Sequence, residues 1–166
     1  MKPLREVELP AGVPGRLWLH SMPGRYEPLD EAWTEARRLG VFSIICLAPL
    51  DEIREKSPNY ARAIEEEQLP CSVRRFPICD YQGPDDDEAF RRLALDIAAL
   101  LRSDRRVLVH CGAGIGRTRM LAIAILITLG LSATEASNRV KAADAGPERP
   151  TQEQALRRFL GPRASE

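Results

Sequence analysis

Apolar residues fall into short continuous runs, separated by longer stretches in which they recur every three or four positions. Arg16 to His20, Val41 to Leu47, Ser72 to Ile78 and Arg106 to His110 read as strands. Leu29, Ala32, Trp33, Ala36 and Leu39 share one face of a helix from Leu29 to Leu39, with Gly40 as its stop. Pro58 to Gln68 predicts a second helix with a thin apolar face. Phe90, Leu93, Ala94, Ile97, Leu100 and Leu101 repeat at helical spacing, and Asp85 to Asp87 sit at that helix's start, where they suit its dipole. Asp85 is the expected cap. An apolar helix follows Gly116, and Ala133 to Ala143 and Thr151 to Leu160 predict two more. Strands alternating with helices predict an α/β fold of three layers, a mostly parallel central sheet flanked by helices.

Composition narrows the classes. A length of 166 residues predicts one domain with a real core, spanning 1–166. The 24 basic residues are balanced by 24 acidic ones, so no polyanion-coating surface and no nucleic-acid partner are expected. Met1 to Glu6 carries no apolar signal core. The run Met120 to Leu131 is interrupted by Thr128 and Gly130 and is too short to span a bilayer; it reads as a buried central helix. The 4 cysteines (Cys46, Cys71, Cys79, Cys111) form no CxxC pattern and the chain has 2 histidines, so neither a metal site nor a cofactor is expected. A monomer in a reducing, cytoplasmic setting is the expectation.

The richest stretch is His110-Cys111-Gly112-Ala113-Gly114-Ile115-Gly116-Arg117-Thr118. A strand precedes it and a helix follows it. A tight glycine-rich loop between the two aims successive backbone N–H groups inward, and the helix dipole adds positive potential. A thiol at the head of such a cradle ionises readily, which makes Cys111 the candidate nucleophile. Arg117 carries a planar fork of donors that grips two phosphate oxygens at once. Thr118 supplies a hydroxyl that can hold the thiolate as a leaving group. Nucleophile, charge clamp and backbone donors are the parts that covalent phosphoryl transfer needs. A lone cysteine there would read as a small core residue closing a strand; the whole string does not. It resembles the signature loop of the cysteine-dependent protein phosphatases, and Ala113 to Thr118 looks like the loop of the tyrosine-specific members.

Cleavage of a phosphoester also needs an acid for the leaving oxygen. Asp80 directly follows a predicted strand and begins a Gly/Pro-containing loop that can swing over the cradle. A plain turn residue is the other reading, and Asp85 is the second candidate for the acid.

The resemblance extends over nearly the whole chain, to the dual-specificity phosphatases and, among them, the cyclin-dependent-kinase-associated phosphatase group. Met22-Pro23-Gly24, the strand ending at Cys46, Pro77-Ile78-Cys79-Asp80, the helix before Arg106 and the HCx5RT loop come in that group's order. The resemblance implies a three-layer phosphatase fold and metal-independent phosphomonoester hydrolysis on a phosphorylated protein (phosphotyrosine, phosphoserine or phosphothreonine). It implies Cys111 as nucleophile, Asp80 as general acid, Arg117 as phosphate binder, the backbone of Gly112, Ala113, Gly114, Ile115 and Gly116 as cradle, and His110 as its brace. Gln154, or alternatively Gln152, matches a glutamine that relatives carry near the hydrolytic water; a solvated helix turn explains both equally well. A cysteine at the Cys46 position lies under the phosphate loop in relatives, which makes Cys46 a candidate redox partner of Cys111, with Cys79 a second; core packing is the other reading of Cys46.

The chain also departs from these patterns. Tyrosine-specific enzymes carry Gly where Arg119 stands and Trp where Cys79 stands, and no Lys-Asn-Arg-Tyr element is present, which favours a shallower, broader site. The loop interior has no Lys, unlike loops that prefer phosphoinositides, so a phosphoinositide or other small phosphoester is the alternative substrate. A sulfurtransferase would have no use for Asp80, and a catalytically silent phosphoprotein-binding module would usually lose the cysteine or the acid. A kinase-binding role does not follow, because partner surfaces vary while the site persists.

Overall fold

The structure, a computed structural model, describes residues 4–113, 115–143 and 150–160, the last with backbone alone over 150–153. Among these residues, β1 (Leu4–Val7), β2 (Arg16–His20), β3 (Ser43–Cys46), β4 (Ser72–Arg75) and β5 (Arg106–His110) form one sheet in the order β1-β2-β5-β3-β4. β1 runs antiparallel to β2, and every other pair is parallel. The helices are α1 (Leu29–Leu39), α2 (Leu50–Lys56), α3 (Pro58–Glu65), α4 (Asp87–Arg102), α5 (Gly116–Thr128), α6 (Ala133–Ala142) and α7 (Pro150–Leu160).

Side chains alternate across a strand, and here both faces are covered. Leu17, Leu19, Ile45, Val107 and Val109 face a core completed by α4 to α7. Trp18, Ile44, Cys46 and Leu108 face a second core completed by Trp33, Ala36, Ile53, Tyr60 and Ala61 of α1 to α3. Strands buried on both faces read as continuous apolar runs rather than alternating ones, which is why β3 and β5 are plain in the sequence. Edge strand β4 instead exposes Arg74 and Arg75, whose charge blunts the open edge. α5 is buried from Arg117 to Leu126 on every side. Its bulk lies against α4, α6 and α7, and α7 docks through Phe159, which meets Phe90 edge-on at 6.0 Å.

The three-layer, mostly parallel α/β architecture expected from the sequence is present. Several boundaries differ. The predicted strand Val41–Leu47 shortens to Ser43–Cys46, because the Val41 N–H is taken by the Ala36 carbonyl in closing α1. The helix predicted to Gln68 stops at Glu65, with Glu67 in the left-handed region at φ 56°. The strand predicted to Ile78 stops at Arg75. Asp85 is not the cap of α4; Asp86 is, its carboxylate accepting from the Ala89 N–H at 3.0 Å, two to three residues into the helix where such a cap acts. β1 and α2 were not foreseen. β1 is only 4 residues long. α2 buries only Ile53 among mostly charged neighbours, so it offers no apolar stripe to read.

Among the described glycines, Gly15 sits closest to neighbouring backbone. Its N–H donates to the Leu101 carbonyl at 2.9 Å, and a Cβ there would stand 2.5 Å from the Arg105 carbonyl oxygen and 2.6 Å from that of Leu101. Both obstacles are backbone, so Gly15→Ala forces the end of α4 away from the start of β2. We expect a loss of about 2 kcal/mol, typical of overpacking, read as a lowered thermal midpoint; an unchanged midpoint would show that helix and strand separate freely.

Candidate active site

The parallel strands β2, β5 and β3 place their carboxyl ends side by side, where open α/β sheets hold their ligands. β5 ends at His110, and the segment from Cys111 to Gly116 turns directly into α5. Its neighbours grip this segment through the backbone. The Met22 N–H donates to the Gly112 carbonyl at 3.0 Å and the Leu47 N–H to the His110 carbonyl at 2.9 Å. Cys111 heads the loop and is 2% exposed.

Arg117, in the first turn of α5, is the most constrained group. Its side chain is 1% exposed, yet it is charged. Glu52 of α2 answers it with both oxygens, Nη1 to Oε2 at 2.8 Å and Nη2 to Oε1 at 2.8 Å. Nη1 also donates to the Ile78 carbonyl at 2.9 Å. Of the five guanidinium hydrogens, these bonds consume three. The Nε–H is buried without a partner among the described residues, as is the Thr118 hydroxyl. Buried polar groups are rarely left unsatisfied, so these two are donors open to a further partner. Burial alone would raise the Glu52 carboxyl, but the hydrogen bonds from Arg117 and Lys56 outweigh it and hold it at about 2. Gly112 leaves room for this cluster: a Cβ there would stand 2.8 Å from Glu52 Oε1 and 3.0 Å from Arg117 Nη2.

Asp80 follows β4 on the loop above the cradle and is 40% exposed. Its Oδ1 lies 3.4 Å from Arg117 Nη2 and its Oδ2 3.9 Å from Lys56 Nζ. On the other side of the loop His110 is wholly buried. Its Nδ1 lies 3.1 Å from the Cys111 carbonyl and its Nε2 2.8 Å from the Tyr60 hydroxyl. A carbonyl only accepts, so Nδ1 carries the proton and Nε2 accepts from Tyr60. Burial pushes the His110 imidazole down to about 4, against the smaller upward pull of the Cys111 carbonyl. The ring is therefore neutral at physiological pH.

The model of the polymorphic-toxin-system DSP-PTPase phosphatases (Tc-R-P) matches residues 20–131, from the end of β2 through α5. The chain belongs to the DSP-PTPase phosphatase family. It is an enzyme of that phosphatase class. Among solved structures it is similar to the kinase-associated phosphatase KAP bearing serine in place of its catalytic-site cysteine, at 18% identity over 99% of this chain and 98% of that one, with a TM-score of 0.81. Tk-PTP in its active form matches at 26% identity over 89% and 92% of the two chains, with a TM-score of 0.69. PTPMT1 in complex with PI(5)P matches at 21% identity over 86% and 88%, with a TM-score of 0.65. No curated protein matches the sequence.

The DSP-PTPase fold thus gathers Cys111, Arg117, Thr118, His110, Gly112, Ala113, Ile115, Gly116 and Asp80 at one end of the sheet. Gly114 and the side chain of Gln152 lie outside the described residues. Gln154 is exposed on α7. Asp85 is exposed beyond Pro84 at the mouth of α4. Cys46 is opposite His110 in register, as the adjacent central strands require, but its side chain belongs to the α1–α3 core and that of Cys111 to the other. Its thiol donates to the Ala48 carbonyl at 3.6 Å, and burial pushes it up. Cys79 is exposed beside Asp80. Sequence reasoning missed Glu52, Lys56 and Tyr60. One signal was available: a buried arginine requires a carboxylate, and Glu52 stands just beyond the end of β3, on the same edge as the cysteine loop.

Two acid windows follow. His110 titrates at about 4 in the folded chain against an ordinary 6.5, so the unfolded chain takes up a proton first and stability falls as pH drops from about 6.5 to 4. Glu52 is held at about 2 against an ordinary 4.5, so its contribution is complete above 4.5 and is lost as pH falls towards 2. Urea midpoints measured against pH should show both losses in the native chain, and only the upper one in Glu52→Gln. That variant should also lose about 3 kcal/mol at neutral pH, because it strands a buried charge. Equal midpoints for the two proteins would exclude the clamp as a source of stability.

Proposed function

We propose that the chain hydrolyses phosphomonoesters on proteins through a phosphocysteine at Cys111. The observation that carries this reading is the pair of buried, unpartnered donors, Arg117 Nε–H and the Thr118 hydroxyl, next to a buried cysteine at the head of a backbone cradle. The guanidinium is set by the Glu52 clamp before substrate arrives, so the Arg117 donor costs no reorganisation in the reaction.

In this mechanism the phosphate dianion sits on the backbone N–H groups between Gly112 and Arg117, with Arg117 Nε and the remaining Nη2 hydrogen on two of its oxygens. The Cys111 thiolate attacks phosphorus in line. The S–P bond forms as the ester P–O bond breaks, and the Asp80 carboxyl delivers its proton to the leaving oxygen. Water then attacks phosphorus and gives a proton to the Asp80 carboxylate. The S–P bond breaks, and the thiolate leaves with the Thr118 hydroxyl positioned to stabilise it. His110 holds the Cys111 carbonyl and thereby the loop's first peptide.

The surroundings favour a protein substrate over a phosphoinositide. The cleft beside the cradle has a volume of about 370 Å³ and is lined by Pro49, Asp51, Glu55, Lys56 and Asp80 among others. Asp51 and Glu55 are exposed there. Their charge repels additional phosphates on an inositol ring and suits a phosphopeptide with basic flanks. Among the described residues no helix is long and apolar enough to cross a membrane.

Cys111→Ser should abolish turnover of 4-nitrophenyl phosphate without lowering the thermal midpoint, since a serine hydroxyl is hardly ionised at neutral pH. Asp80→Asn should slow phenyl phosphate far more than 4-nitrophenyl phosphate, by up to about 10²–10⁴-fold, because only the poorer leaving group needs the acid. A panel of phosphotyrosine, phosphoserine and phosphothreonine peptides against phosphoinositides, with Cys111→Ser as blank, identifies the substrate class. Residual turnover near the wild-type rate in Cys111→Ser would overturn the phosphocysteine, and a clear preference for phosphoinositides would overturn the protein substrate.

A further inference from the structure

We propose that Lys56 is the positioning residue of the general acid: its ammonium holds the Asp80 carboxyl over the cradle and stays paired with the carboxylate after the proton has gone. The inference rests on the phosphatase reading above and adds to it a residue outside the HCx5RT loop and outside the acid loop.

The geometry begins with a ring of four charges. Arg117 meets Glu52 at 2.8 Å, Glu52 Oε1 meets Lys56 Nζ at 2.9 Å, Lys56 Nζ faces Asp80 Oδ2 at 3.9 Å, and Asp80 Oδ1 faces Arg117 Nη2 at 3.4 Å. Asp80 thus spans two cations, one at each oxygen. These cations have different duties. Arg117 has only its Nε–H and one Nη2 hydrogen uncommitted, and the phosphate takes both. A bound dianion therefore displaces Asp80 from Arg117. It also brings negative charge beside a carboxyl that is about to become an anion itself. Lys56 is the cation left to that carboxyl.

Lys56 is well placed to fill this role. It lies one helical turn from Glu52 on α2, and the i,i+4 hydrogen bond fixes its side chain. It is only 24% exposed. A Cβ on Gly112 would stand 3.4 Å from Nζ, so the ammonium lies directly over the entrance to the cradle. Asp80 is exposed, its Oδ1 accepts from the Tyr81 N–H at 3.0 Å, and Tyr81 is in the left-handed region at φ 64°, a conformation that costs a non-glycine residue energy unless its surroundings impose it. During the transfer the carboxyl O–H bond breaks, the proton joins the leaving oxygen and the electron pair stays on Asp80, facing Lys56. Because the site is partly exposed, the expected effect is moderate.

Lys56→Met and Lys56→Arg are compared with wild type on phenyl phosphate and 4-nitrophenyl phosphate, with Asp80→Asn and the double variant beside them. Lys56→Met should lower kcat for phenyl phosphate about tenfold, a fraction of what the acid itself supplies. It should leave KM and the 4-nitrophenyl phosphate rate within about twofold. Lys56→Arg should recover most of the loss. Lys56→Met/Asp80→Asn should be no slower than Asp80→Asn alone, because residues acting through one another are non-additive. Thermal midpoints of all four variants show whether each is folded. An equal loss on both substrates, a change confined to KM, or multiplicative losses in the double variant would overturn the proposal and leave the phosphatase reading intact. A wild-type protein inactive on both substrates would overturn both.

Discussion

A buried positive charge governs the architecture of the catalytic end. The Arg117 guanidinium is taken almost wholly out of water, and such a charge is tolerable only when paired and hydrogen-bonded. Its partner cannot come from its own helix, which carries no acidic residue. It comes from α2, a 7-residue helix with little packing of its own. That requirement explains why a short, strongly charged helix sits directly after β3, why Gly112 lacks a side chain and why the Ile78 carbonyl turns inward. The side-on edge of the guanidinium, Nε and one hydrogen of Nη2, is left over once the end-on edge is spent on Glu52. The Nε–H on that edge is free of other partners among the described residues.

The two faces of the sheet serve the loop differently. The α4–α7 face is a dry core that supports Cys111 and the base of α5 from beneath. The α1–α3 face contains polar groups arranged in register, His20 opposite His110 and His110 opposite Cys46, with Trp33 and Tyr60 stacked edge-on at 5.5 Å behind them. Burial depresses both histidines. His20 meets the Ser21 carbonyl through Nδ1 and has Glu27 3.8 Å from Nε2. The hydrogen bond from Tyr60 thus reaches the Cys111 carbonyl through one imidazole. Cys46 packs in the α1–α3 core and Cys111 in the α4–α7 core.

Much of the site could be read from the chain because its parts lie close together in sequence. One nine-residue string holds the candidate nucleophile, phosphate binder and cradle, and strands β3 and β5 declare themselves as apolar runs because both of their faces are covered. What could not be read depends on long-range pairing. Glu52 and Arg117 are 65 residues apart, and nothing in the local pattern around Glu52 distinguishes it from Asp51 or Glu55. Tyr60 lies 50 residues from His110 on a helix whose apolar face is thin, so it reads as a helix-face aromatic rather than a donor. β1 and α2 are too short to develop a period. The cap of α4 fell on Asp86 rather than Asp85 because three consecutive acids offer the helix equivalent starts, and only the backbone geometry decides among them.

The strand order has a consequence for how the molecule comes into being. In β1-β2-β5-β3-β4, the central strand is the last one synthesised. The hairpin β1–β2 and the parallel pair β3–β4 have no ladder to each other; each waits for β5 to slot between them. Until residue 110 is available, the chain carries two half-sheets with exposed edges, and such non-local pairing is slow to form. The strand that joins the halves leads directly into Cys111. Completing the sheet therefore also brings His110 and the Cys111 loop against Leu47 and Met22, and a nascent chain lacking β5 has not assembled this end of the sheet.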